Sequence, residues 1–164
     1  MSTHRVFNPV PCQLLLVVVF LVLSFPAVGH AQRDPAIGTW KLSLAKSKFA
    51  PGTAPMNNLV TVEAAGQGIK VTSTTVRANG QKIVVHYTAY LDGKDYPVTG
   101  SPDYDTVSLK RNGVTVEGTR KKDGQVVQTY QRVVSEDRKT MTVATTGKDA
   151  NGRTLNSVAV FERR

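Results

Sequence analysis

Few residues in this chain are suited to chemistry. Of its three histidines, only His86 lies beyond the first 31 residues. A lone imidazole can act as a general base near neutral pH. No serine, threonine or carboxylate stands at a spacing that specifies a partner for it, and a metal site of the usual kind needs several ligands. His86 shares a strand face with Val84, Thr88 and Tyr90, with Tyr87 beside it in the chain, and an ordinary strand position is the plainer reading. Tyr130-Gln131-Arg132 places Tyr130 and Arg132 on one face, with Glu117 expected directly across from Tyr130. Facing inward, Arg132 would hold an anionic group through paired hydrogen bonds. Facing outward, Glu117 and Arg132 would form a surface pair of little energetic worth. The apolar residues on the opposite face favour the outward orientation. Asp92, Asp95, Asp103 and Asp105 crowd one segment. Calcium takes such oxygen ligands, but the spacing fits no calcium loop, and Asp, Gly and Pro are what turns use.

No nucleophile-and-base pair, phosphate loop or cofactor motif accompanies these residues, so an enzyme is the weakest reading and no cofactor is expected. The residues expected to touch a ligand are Tyr87, His86, Tyr90, Tyr130 and Arg132.

The elements that must carry these residues begin after the N-terminus. His4 and Arg5 precede an apolar run over 14–25, Pro26 ends it, and Gly29-His30-Ala31 offers small residues where a signal peptidase cuts. The run is short for a membrane span, which needs about 20 apolar residues. The order of parts predicts a cleaved signal peptide over 1–31, a domain over 32–164 and export. The one cysteine, Cys12, leaves with it, so the remainder has no disulfide and must be held by its core. The full chain carries a net charge of +9, of which the leader removes only Arg5. The basic residues are scattered, with no aromatic-studded basic stripe, which argues against nucleic acid. Periplasmic and extracellular destinations fit equally, no stable membrane anchor is expected after cleavage, and the oligomeric state is open.

Beyond residue 36 the pattern is strand and turn. Strands rich in Val, Thr and Tyr are expected over 37–44, 59–65, 69–77, 82–91, 106–111, 114–121, 126–134, 140–146 and 155–162. Asn79-Gly80, Asn112-Gly113 and Asp123-Gly124 suit two-residue hairpin turns. Such turns put Leu109 opposite Val116, and collect Val107, Leu109, Val114, Val116, Val127 and Val133 on one apolar face. Gln128, Tyr130 and Arg132 then lie on the other. Two longer connections remain, over 45–58 and 92–105, the second a candidate flap over a barrel mouth. Tight hairpins between successive strands predict an all-β, antiparallel up-and-down barrel of about eight or nine strands, closed to hide its edges.

Gly38-Thr39-Trp40 on the first strand resembles the Gly-x-Trp signature that opens lipocalin-type barrels. The ending Val158-Ala159-Val160-Phe161-Glu162-Arg163 resembles the last strand of small secreted bacterial lipocalin-like domains. The resemblance implies a β-barrel with a possible apolar pocket, and an Arg near the end that packs over the signature Trp. Arg163 is the matching candidate and Arg153 the weaker one. It names no ligand. The classical disulfide and C-terminal helix are missing. Trp40 could be a pocket floor or a plug of the closed end, and a large aromatic at a strand start is usually core. The Arg and Tyr of Tyr130-Gln131-Arg132 resemble, in reversed order, the pair that fatty-acid-binding barrels use for a carboxylate.

Two functions follow as expectations. The first is a lipocalin-like barrel binding a small apolar or amphipathic molecule. The second is an interaction module with a filled core that meets an anionic surface or partner protein through its basic outside.

Overall fold

The structure, a computed structural model, describes residues 34–50 and 53–164. The expected signal peptide and Cys12 lie outside the described residues. Ten antiparallel strands follow one another around a closed barrel: β1 Gly38–Leu42, β2 Asn57–Ala65, β3 Gly68–Val76, β4 Lys82–Ala89, β5 Asp92–Thr99, β6 Thr106–Asn112, β7 Thr115–Lys122, β8 Gln125–Val134, β9 Thr140–Lys148 and β10 Thr154–Arg163. β10 closes onto β1 through Trp40↔Arg163 and Leu42↔Phe161. This is the all-β up-and-down barrel the turn spacing predicts, with ten strands rather than eight or nine.

The added strand is β5, expected to be part of a loop. Its sequence, DGKDYPVT, reads as turn chemistry, yet it pairs with β6 through Asp95↔Ser108 and Pro97↔Thr106. Only Tyr96 and Val98 alternate inward on it, too little apolar pattern to announce a strand. Its proline tolerates the position because the β4–β5 ladder is short, with only His86↔Thr99 and Tyr87↔Val98 paired. The aspartates expected to crowd a loop are spent locally. Asp92 accepts from the Lys94 amide and the Tyr96 hydroxyl, Asp95 pairs with Lys121, and Asp105 accepts from the Asp123 amide. The longer connection before β2 holds one short 3-10 turn, Leu44–Lys46.

Of the three expected two-residue turns, only Asp123-Gly124 keeps its expected register, through Lys122↔Gln125. Asp123 and Gly124 both have positive φ, 50° and 77°, as a type I′ turn requires. The 112–113 hairpin differs: Asn112 pairs with Thr115, so its loop is Gly113-Val114. Leu109 therefore faces Gly118 rather than Val116. This two-residue shift leaves the faces unchanged. At Asn79-Gly80 only Gly80 takes positive φ, in a three-residue loop closed by the Arg77–Gln81 hydrogen bond.

The decisive correction is on β8. Its register with β7 slips by one residue between Arg120 and Lys121, where a β-bulge forms. A one-residue slip turns every following side chain to the other face. Gln128, Tyr130 and Arg132 are therefore inside and buried, while Val133 is exposed and Val127 is only partly buried. The expected outward Tyr130–Arg132 face is overturned, and Glu117 sits across from Gln131, not Tyr130.

The core gathers toward one end around Trp40, Ile69, Leu109, Met141 and Val107, all essentially inaccessible. Trp40 donates its indole N–H to the Ala36 carbonyl at 2.6 Å. The Arg163 guanidinium lies 4.2 Å over the Trp40 ring and donates to the carbonyls of Ile37 and Pro35 at 2.7 and 2.9 Å. Residues 34–37 thus form a strap across the closed end. Gly38 has φ 140°, and a Cβ there would overlap Arg163, so glycine is what lets the arginine pass.

Candidate functional site

The inward faces do not fill the barrel. A cavity of about 450 Å³ runs through it and reaches the rim at Thr53, Asn79, Asp103 and Asn151, the end opposite the strap. This volume falls within the ~300–1,000 Å³ usual for small-molecule sites. One part of its wall is aliphatic, with Val62, Val71, Val85, Val143 and Ala159. They come from β2, β3, β4, β9 and β10, where alternating residues point inward.

The other part is polar and comes from β4, the β5–β6 loop, β7 and β8. Val116, Gly118 and Arg120 point inward from β7, beside Arg132, Tyr130 and Gln128 of β8. Gly118 carries no side chain because the Tyr130 ring lies where its Cβ would be. The Arg120 guanidinium is held between two rings, 4.8 Å from the centroid of Tyr104 and 4.6 Å from that of Tyr130. Such stacking over π faces favours a cation. Arg120 also donates to the Gln128 side-chain oxygen at 2.8 Å, and Gln128 in turn donates to the Lys148 carbonyl at 3.0 Å. That second bond orients the amide with its oxygen toward Arg120.

Tyr87 of β4 completes the cluster. Burial pushes its hydroxyl well above the ordinary range, helped by Tyr130 and Tyr104 and opposed by Arg120 and Arg132. Burial likewise raises Tyr104. Both are therefore neutral hydrogen-bond donors at physiological pH.

Toward the closed end, Arg132 donates to Asp34 at 2.6 Å, and Arg111 reaches the same carboxylate oxygen at 3.1 Å. Asp34 accepts the Ala36 amide with its other oxygen at 2.8 Å. A buried charge left alone would be costly; here one aspartate is held by two arginines and the strap backbone.

The structure brings Tyr87, Tyr130 and Arg132 into one cavity wall. His86 and Tyr90 do not line it. His86 is exposed and its Nδ1 contacts the Thr72 hydroxyl at 3.1 Å. Tyr90 packs edge-on against Tyr96, with ring centroids 5.8 Å apart. Trp40 is wholly buried and does not line the cavity. Arg120, Tyr104 and Gln128 were not singled out from the sequence as ligand contacts. Arg120 was within reach: it stands at Val116 plus four on a strand, hence on the inner face. Gln128 follows from the bulge and Tyr104 from the loop's path, and neither leaves a sequence signal.

No family model matches the chain, and no curated protein matches it. Among solved structures, the chain is similar to zebrafish ileal bile acid-binding protein, determined in complex with cholic acid, with 12% identity and a TM-score of 0.47, over 79% of this chain and 99% of that one.

Proposed function

We propose that this chain is an exported, lipocalin-like carrier that holds a small amphipathic molecule inside its barrel. The observation that carries the reading is the cavity of about 450 Å³ with an aliphatic wall on one side and a tyrosine–arginine wall on the other. An amphipathic guest matches both surfaces, its apolar part leaving water and its polar part meeting placed donors. Export rests on the order of basic start, apolar run and small-residue site in residues 1–31.

The test is native mass spectrometry of the protein expressed from the full chain in its own host and purified gently. The reading expects a mass beginning at Gln32 and a small-molecule adduct that is lost on denaturation. A bare protein that also ignores lipids and apolar dyes would overturn the carrier function; an uncleaved N-terminus would overturn export. The alternative module with a filled core is disfavoured by the cavity itself.

A further inference from the structure

Four arginines line the cavity: Arg77, Arg120, Arg132 and Arg153. Three are ion-paired with aspartates, Arg77 with Asp103 at 2.6 Å, Arg132 with Asp34, which it shares with Arg111, at 2.6 Å, and Arg153 with Asp149 at 2.7 Å. Arg120 is the exception. Among the described residues no carboxylate comes within ion-pair distance of it, and Asp103, which it feels from further off, is already bound to Arg77. A guanidinium in a low-dielectric interior needs a counter-charge, and its fork of five donors is suited to an oxyanion.

The surroundings are arranged for one. Gln128 takes a single hydrogen bond from Arg120, and among the described residues no other side chain or carbonyl takes one. No buried side-chain nitrogen or oxygen among the described residues lacks a partner, so the unshared guanidinium nitrogens face the cavity space. The same reasoning places the hydroxyls of Tyr87 and Tyr130 there, since neither makes a hydrogen bond among the described residues. The two tyrosine rings, 4.8 and 4.6 Å from the guanidinium carbon, restrain it in place, so part of the conformational freedom an arginine loses on binding is already gone.

We propose that Arg120, clamped between Tyr104 and Tyr130, is the seat of an oxyanion, and that the natural ligand is an amphipathic anion whose apolar part lies on the aliphatic wall. This rests on the carrier reading and narrows its ligand class. It moves the anion from Arg132, which already has a carboxylate partner in Asp34, to Arg120, nearer the rim.

The test compares dodecanoate with 1-dodecanol, which share a chain and differ in head-group charge, by displacement of the neutral dye Nile red from the purified protein. Dodecanoate is expected to bind about tenfold or more tightly than the alcohol, the worth of one charge-assisted hydrogen bond. Arg120→Gln, with its β-sheet circular dichroism intact, is expected to bring the two probes to about equal affinity. Arg120→Lys, which keeps the charge, is expected to retain much of the preference, and this separates lost charge from a disturbed fold. Equal binding of both probes, or a preference that survives in Arg120→Gln, overturns the anion seat alone. No uptake of dye or of either probe overturns the carrier reading beneath it.

Discussion

Gly118 lies across the β7–β8 ladder from Tyr130, and the Tyr130 ring occupies the space a side chain at Gly118 would need. The contact ties a backbone position to the cavity wall, because the same ring carries Arg120 on its face at 4.6 Å. Gly118→Ala must push the ring aside. It is expected to cost about 1–3 kcal/mol, the usual range for overpacking, read as a lower urea midpoint with an unchanged slope. Dodecanoate affinity falls with it.

Asp34 is the common acceptor of Arg132 and Arg111, and the Asp34 and Arg132 side chains are only 4% and 9% exposed. Asp34→Ala leaves a buried guanidinium without its partner and is expected to destabilise by about 3–5 kcal/mol. Adding Arg132→Met should recover a large part of that loss. Thermal or urea unfolding of Asp34→Ala, Arg132→Met and the double variant measures it, and strict additivity of the two single changes would refute the coupling.

Arg163 closes the barrel by stacking on Trp40 and donating to the carbonyls of Pro35, Ile37 and Arg138. Arg163→Ala is expected to lose about 2–4 kcal/mol and to speed amide exchange in the strap around Ala36. Gly38→Ala should act in the same direction, since its Cβ would displace the arginine.

Alkaline pH supplies another check. Tyr87 and Tyr104 have folded-state pKa values raised above the ordinary 10.0 by burial. The folded state then holds protons that the unfolded state releases, so stability is complete below about pH 10 and falls as pH rises past it. Near-UV phenolate absorbance should show Tyr87 and Tyr104 ionising only with unfolding. Smooth titration of all five tyrosines in a folded protein would contradict their burial.

The barrel was legible because alternation and Gly-containing turns are local signals. The Asp123-Gly124 turn even gave the correct register for its nearest pairs, Lys122↔Gln125 and Lys121↔Val126. The site was not legible, because it depends on one bulge. Val126 and Val127 sit together in the sequence, and nothing in that doublet says which of them leaves the ladder. That single residue decides whether Tyr130 and Arg132 face solvent or cavity. β5 was hidden for a different reason, a strand made of turn-forming residues whose partners lie far along the chain. Arg120, amid Thr119, Lys121 and Lys122, looks like a solvated strand end until Val116 and Gly118 are counted as its companions on the inner face.

The central claim is that the guest lies inside the barrel, and it is tested most directly by filling that space. Ala159 of β10 is partly buried and lines the cavity. Nile red fluorescence with wild-type protein is expected to saturate at one site, and Ala159→Phe, with its β-sheet circular dichroism intact, to lose most of that uptake. Undiminished uptake by the filled variant would place binding outside the cavity and contradict the account.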